Sequence, residues 1–233
     1  MNLWKHLRTL RWKLLQAYDK LTVKYDEAPK TWFTSDLHLG HGKIIYYCDR
    51  PYTSVTEMTE AIVRQWNKQV APHDVVYVLG DFSLSPKWST RNIKRLNGQK
   101  ILISGNHDVT FPTHKGSDKM IERYKRDGWS DVKYNLRFSL NGRTFNLSHL
   151  PPLVEGYDTR YKDLRPALEL DVVYLHGHLH NRYKRLGNLI DVGFDVELCL
   201  FSLDDIMKIL DGPWEQAGRP IKLKDDRSSG EPL

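Results

Sequence analysis

What this chain lacks narrows its possibilities first. It has two cysteines, Cys48 and Cys199, far apart and in no CxxC pair. That spacing excludes a disulfide framework and a thiolate zinc site. No apolar run approaches the ~18 residues of a membrane-spanning helix. The basic N-terminal stretch has no clean apolar segment leading to a small-residue cleavage site, so no secretory leader is expected. A cytoplasmic location is the resulting expectation. No internal repeat or low-complexity block interrupts the 233 residues. That length suits one medium α/β domain with a real core.

Charge is unevenly distributed. The net charge is +6, but residues 1–25 hold Lys5, Arg8, Arg11, Lys13, Lys20 and Lys24 against Asp19, which leaves the remainder near neutrality. A basic chain often partners nucleic acid or an anionic surface; here that hint belongs to the N-terminal arm. Within the arm, Leu3, Leu7, Leu10, Leu14, Ala17 and Leu21 recur at a spacing of three to four between basic residues. This is an amphipathic helix with a heptad-like seam. Packing on its own domain, a homo-oligomer through the 3–21 helix, and nucleic-acid or membrane-surface binding all stay open. Three units are expected: the arm at 1–28, a domain at 29–211, and a flexible tail at 212–233 of Pro, Gly and mixed charge.

Between arm and tail, strand and helix signals alternate. Residues 31–35, 75–79 and 101–104 are short apolar runs suited to buried strands. Helical periodicity covers 56–70 from a Thr cap, 87–97 up to Gly98, and 117–127. The runs 132–140 and 143–149 flank Asn141-Gly142, a hairpin signal because both turn positions need positive φ. Strands follow at 171–176 and 189–193, then a helix at 203–210 capped by Ser202. The fold class expected is α/β, a layered α/β-β/α sandwich with mixed sheets.

Metal-binding residue types fall at the strand ends: Asp36-x-His38, Gly80-Asp81, Asn106-His107-Asp108, His149, and His176-Gly-His178-x-His180. In layered α/β sheets, ligands bind beyond the carboxyl ends of strands. Residues i and i+2 of an extended chain point the same way, so Asp36/His38 and His178/His180 can each aim into one cavity. Carboxylate, imidazole and amide oxygen suit Mn, Fe, Zn or Mg. Seven such groups are too many for one ion and about right for two sharing a bridging carboxylate.

This ordered set resembles the calcineurin-like metallophosphoesterase superfamily, and FTSDLHLGH, GDFS and ISGNHD are similar to its small stand-alone bacterial and bacteriophage members. The resemblance covers about residues 30–210. It implies two divalent metal ions, with Mn2+ the first choice. Asp36, His38 and His180 would hold one, Asn106, His149 and His178 the other, with Asp81 bridging. Two such ions would clamp a phosphoryl oxygen and supply hydroxide from the bridging water near neutral pH. His107 would be the general acid for the leaving oxygen.

Protein serine/threonine phosphatases of the superfamily continue as Gly-Asp-x-x-Asp-Arg-Gly, whereas here Leu84-Ser85-Pro86 follows Gly80-Asp81-Phe-Ser. The second Asp and the Arg are missing, which argues against a protein phosphatase. It leaves phosphate contact to His41 first, then Arg50 or Arg160. Asp108, next to His107, could simply brace its loop. The expected activity is a phosphodiesterase on small phosphodiesters such as cyclic nucleotides. The alternatives are a nuclease or RNA-end phosphatase guided by the basic arm, or a non-catalytic scaffold.

Overall fold

The computed structural model describes residues 28–153, 160–180 and 182–212. The expected 3–21 helix, with its nucleic-acid and oligomer roles, and the tail from 213 onward lie outside the described residues. In chain order the elements are β1 (Thr31–Thr34), α1 (Lys43–Tyr47), α2 (Val55–Gln69), β2 (Val75–Val78), α3 (Pro86–Ile93), β3 (Gln99–Ile103), α4 (Ser117–Asp127), β4 (Asp131–Lys133), β5 (Asn135–Leu140) and β6 (Arg143–Ser148). A 3-10 turn (Lys162–Leu164), β7 (Val172–His176), β8 (Arg185–Leu186), β9 (Leu189–Asp191), α5 (Phe194–Glu197), β10 (Phe201–Ser202) and α6 (Leu203–Asp211) complete the described chain.

Two five-stranded mixed sheets result, ordered β10-β1-β2-β3-β4 and β5-β6-β7-β9-β8. β1 through β4 are parallel, with β10 antiparallel at the edge. In the second sheet β6, β7 and β9 are parallel, while β5 and β8 are antiparallel. Seven parallel strands, four in the first sheet and three in the second, thus point their carboxyl ends toward one rim.

Alternation along each strand explains the layering. Trp32, Val76, Val78 and Leu102 face outward into a cluster with Met58, Ile62 and Trp66 of α2 and Ile93 of α3. Phe33, Leu79 and Ile103 face the other way and meet Phe145, Leu147, Val173, Leu175 and Ile190 of the second sheet. Each such fully buried side chain contributes roughly 1.5–3 kcal/mol, so the inter-sheet layer is a main source of stability. Beyond the second sheet, Val172, Tyr174, Leu179, Tyr183 and Leu189 form a smaller cluster. The preceding connection is tied there by the Tyr174 O–H, which donates to Ala167 O (2.6 Å). No described helix is long and apolar enough to cross a membrane.

Several elements differ from the sequence reading. α2 starts one residue earlier and is capped by Ser54, whose hydroxyl accepts the Glu57 N–H, not by a Thr. α3 ends at Ile93, and the chain reaches Gly98 by non-helical turns. The run 132–140 is not one strand. Val132 pairs with Leu102 in the first sheet, whereas Asn135 pairs with Ser148 in the second. The chain changes sheets at Tyr134. The hairpin turn itself is as read, with Asn141 and Gly142 at φ 51° and 74°.

Candidate metal centre

Five chain segments leave the strand ends and meet at the rim between the sheets. Asp36 and His38 follow β1, Asp81 follows β2, Asn106 follows β3, His149 follows β6, and His178 and His180 follow β7. Backbone bonds draw these ends together. Asp36 N–H donates to Gly80 O (3.0 Å), His38 N–H to Asp81 O (2.9 Å) and Gly177 N–H to His149 O (3.1 Å). The approach requires glycine. A Cβ on Gly80, whose φ is +87°, would sit 2.5 Å from His149 Nδ1, and one on Gly177 would overlap the Ser35 hydroxyl and Asp36 Oδ2.

The backbone is strained where the donors sit. Asp36, His38, Asp81, His178 and His180 all have positive φ, from 48° to 70°. A non-glycine residue there typically costs about 1–3 kcal/mol, tolerated when the surroundings over-determine it. Alternating extended geometry, the basis for pairing i with i+2, is therefore not what aims these side chains. Paired left-handed turns aim them.

The donor atoms form two overlapping groups. One ligand atom from each of Asp36, His38 and His180 lies within 4.8 Å of the others, and so do those of Asp36, Asp81 and His149. Asp36 Oδ1 is 3.7 Å from His38 Nε2 and 3.6 Å from His180 Nε2. Asp81 Oδ2 is 3.7 Å from His38 Nε2 and 3.4 Å from His149 Nε2. These gaps are too long for hydrogen bonds. Two donors each about 2.1 Å from one ion and 90–120° apart are separated by roughly 3–3.6 Å, so the spacing suits ligands around an ion. Asp36 Oδ1 and both ring nitrogens of His38 are buried with no hydrogen-bond partner.

Hydrogen bonds aim several donors. Asp36 Oδ2 accepts from Ser35 Oγ (2.6 Å) and His178 N (2.9 Å), leaving Oδ1 for the cavity. Asp81 Oδ1 accepts from His107 N (2.9 Å), leaving Oδ2. His149 Nδ1–H donates to Leu79 O (2.8 Å), so Nε2 presents a lone pair, and Asn106 Oδ1 lies 3.0 Å from it. As placed, the amide oxygen and the ring nitrogen face each other as two acceptors, a pair that a shared cation satisfies. His180 Nδ1–H donates to Asp195 Oδ2 (2.9 Å), which leaves its Nε2 for the cavity. The His178 ring lies beside that of His149, with centroids 5.2 Å apart.

Electrostatics point the same way. Burial would raise Asp36, but the charge of His180 and the neighbouring imidazoles hold it well below the usual carboxylate range. Burial and then the Asp36 charge push Asp81 well above it. The same two influences push up Asp191, while burial and the Asp81 charge lift Asp108 to about 7. His38 is driven down to about 3, chiefly by burial, which keeps the ring neutral with one nitrogen lone pair to offer. The residues present fit divalent cations: hard and borderline donors, unpartnered, in a site short of positive charge.

The remaining candidates divide. His107 sits at the mouth with a third of its side chain exposed and Nε2 4.0 Å from Asp81 Oδ2. The His41 ring lies 5.4 Å from that of His38, tilted by 55°. Arg50 corrects the expectation of a substrate contact. It is 3% exposed. Its Nε and Nη2 bind Asp195 at 2.9 Å each, and its remaining donors go to Asp36 O (2.6 Å), Leu37 O (2.8 Å) and Met58 Sδ (3.4 Å). No donor is left for a phosphate. Asp108 braces the loops, accepting from Asp81 N (2.8 Å), Phe82 N (3.2 Å) and Gly105 N (2.9 Å). His176 is buried, with Nδ1 on Gly177 O and Nε2 accepting from the Tyr183 O–H, each at 2.9 Å. Sequence reasoning passed over Asp195 and Asp191. The local signal was their place at and just beyond the carboxyl end of β9, another parallel strand.

Comparison with known proteins agrees with this geometry. The calcineurin-like phosphoesterase family model matches residues 29–192. The chain is 33% identical over 193 residues to Uncharacterized protein MJ1445 of Methanocaldococcus jannaschii, covering 78% of this chain and 92% of that protein. It is 30% identical to the Gene 66 protein of Mycobacterium phage D29, covering 77% and 94%. The solved structure of protein AQ665 from Aquifex aeolicus superposes with a TM-score of 0.58 at 22% identity, covering 78% of this chain and all of that one, a likeness of fold.

Proposed function

The chain belongs to the calcineurin-like phosphoesterase family, and from that premise we propose that it is a two-metal phosphodiesterase for small phosphodiesters such as cyclic nucleotides. Asp36, His38 and His180 would hold one ion, Asn106, His149 and His178 the other, with Asp81 shared and Mn2+ the first metal to test. Such a pair, when bound, neutralises charge on the phosphoryl oxygens and lowers the pKa of water near them. The observation that carries this reading is the set of unpartnered buried donors on Asp36 and His38, with Asp81 and His149 spaced beside them at 3.4–3.7 Å.

The chain's own residues supply the rest. His107 is aimed at the mouth because its backbone N–H is anchored on Asp81 Oδ1. Burial, then the charge of His149, lowers it to about 4, so it is neutral in the free site. An anionic phosphate beside it raises that value, which loads the proton that His107 then delivers to the leaving oxygen. His41 is the phosphate-side neighbour. Beyond it stands Tyr47, 70% exposed, with its ring 6.3 Å from that of His41. An aromatic rim one ring beyond the donors supports an organic ester group on the substrate.

The test is turnover with Mn2+, Zn2+ or Mg2+ on bis- and mono-p-nitrophenyl phosphate and on 2′,3′- and 3′,5′-cyclic nucleotides. Diester turnover above monoester turnover is expected, abolished by chelation and by Asp81→Asn. Faster monoester turnover would make the enzyme a monoesterase. No turnover with two ions bound would favour the scaffold.

A further inference from the structure

Arg50 and Asp195 are 145 residues apart, yet they form a bidentate ion pair with both side chains fully buried. A buried ion pair rarely repays its desolvation through stability alone, so its placement matters. Asp195 Oδ2 also accepts from His180 Nδ1 (2.9 Å). Arg50 meanwhile donates to the carbonyls of Asp36 and Leu37, inside the left-handed turn that carries Asp36 and His38. One guanidinium therefore touches the turn holding two donors and the carboxylate holding the third. Asp195 belongs to a potential metal-binding group with Cys48 and His180. Both its oxygens are already engaged, by Arg50 and by His180.

We propose that the Arg50–Asp195 pair is a positioning device: Asp195 fixes the His180 tautomer and ring so that Nε2 faces the ion, and Arg50 locks Asp195 to the Asp36–His38 turn. This rests on the reading of His180 as a metal ligand. Asp195 touches neither ion nor substrate and acts only through His180. A carboxylate behind a metal-binding imidazole raises its basicity and stops it rotating, and loss of such a partner typically costs about 10–100-fold in metal affinity.

Zinc binding to the full chain, measured calorimetrically without substrate, tests this. Wild type should bind two Zn2+. Asp195→Asn, which keeps the shape but lets the imidazole tautomer invert, should weaken one of the two about 10–100-fold and leave the other. Unweakened binding of both ions by folded Asp195→Asn overturns the proposal. If that variant does not fold, zinc-loaded wild type decides by NMR. His180 should show a slowly exchanging Nδ1–H with Nε2 on the metal; an Nδ1-bound ring overturns the proposal. Absence of zinc binding by wild type would instead sink the ligand assignment beneath it.

Discussion

The two proposed halves of the centre are held by different means. In the half assigned to Asp36, His38 and His180, orientation comes largely from side chains: Ser35 on Asp36, and the Arg50–Asp195 pair behind His180. In the half assigned to Asn106, His149 and His178, main chain takes a larger part. Leu79 O accepts the His149 Nδ1–H, the His114 ring pairs with Asn106 O (3.0 Å), and the Asp108 carboxyl gathers three backbone N–H groups. The first half has the Arg50 guanidinium against it; around the second, burial and then the Asp36 charge push Asp81 up, and burial and then the Asp81 charge push Asp108 up. The brace behind His180 can be dismantled by one substitution. The bond that turns His149 ends on a backbone carbonyl and yields only to changes that move the backbone.

The largest expected effect breaks the first half. Arg50→Ala strands a buried carboxylate and should cost about 3–5 kcal/mol of stability. Urea unfolding reads this, and a loss under about 1 kcal/mol would mean that the pair is not load-sharing. The second concerns charge. Asp108 has a folded pKa raised to about 7, above its unfolded value. Its contribution is therefore fully present below about pH 4 and is lost as pH rises through about 7. Measured against metal-free Asp108→Asn, which shares the opposite pH dependence of the buried histidines His38 and His107, the metal-free wild type should lose on the order of 2–4 kcal/mol of relative stability between pH 4 and 8. Added Mn2+ should reverse that difference. A difference that climbs over this window would contradict the assignment.

Gly80→Ala attacks the second half through its backbone. A Cβ in the left-handed region and against His149 should cost about 1–3 kcal/mol. It should also weaken one bound ion while sparing the Asp36–His38–His180 position. Equal weakening of both ions in calorimetry would erase the distinction between the halves. The smallest effect is behind the His178 turn. Tyr183→Phe leaves His176 Nε2 unpaired and should cost about 1 kcal/mol with unchanged ion stoichiometry; thermal unfolding and metal titration together check it.

Much of this molecule is legible in the chain because local chemistry speaks directly. Apolar runs at 75–78 and 101–103 had no stable fate but burial on both faces. Asn141-Gly142 accepts two positive φ values cheaply. Ser202 and Asp205 complete a reciprocal cap on α6. The clusters at the strand ends were visible because histidine and aspartate concentrate there. Short elements such as α1, α5, β8 and β10 were not legible, since two to five residues carry little more than one period of pattern. Arg50 was misplaced for a different reason. A lone arginine looks the same in sequence whether it faces a ligand or a buried carboxylate 145 residues away.

By itself, the sequence determined which segments become strands and helices, and which residue types wait at their ends. Periodicity, turn chemistry and donor type are all properties of a few neighbouring residues. Only the tertiary structure decided that the run 132–140 divides between two sheets at Tyr134, that left-handed turns aim the donors, and that Arg50 serves Asp195. Each of those outcomes depends on which distant groups compete for the same buried hydrogen bonds and charges, and that competition exists only once the two sheets have met.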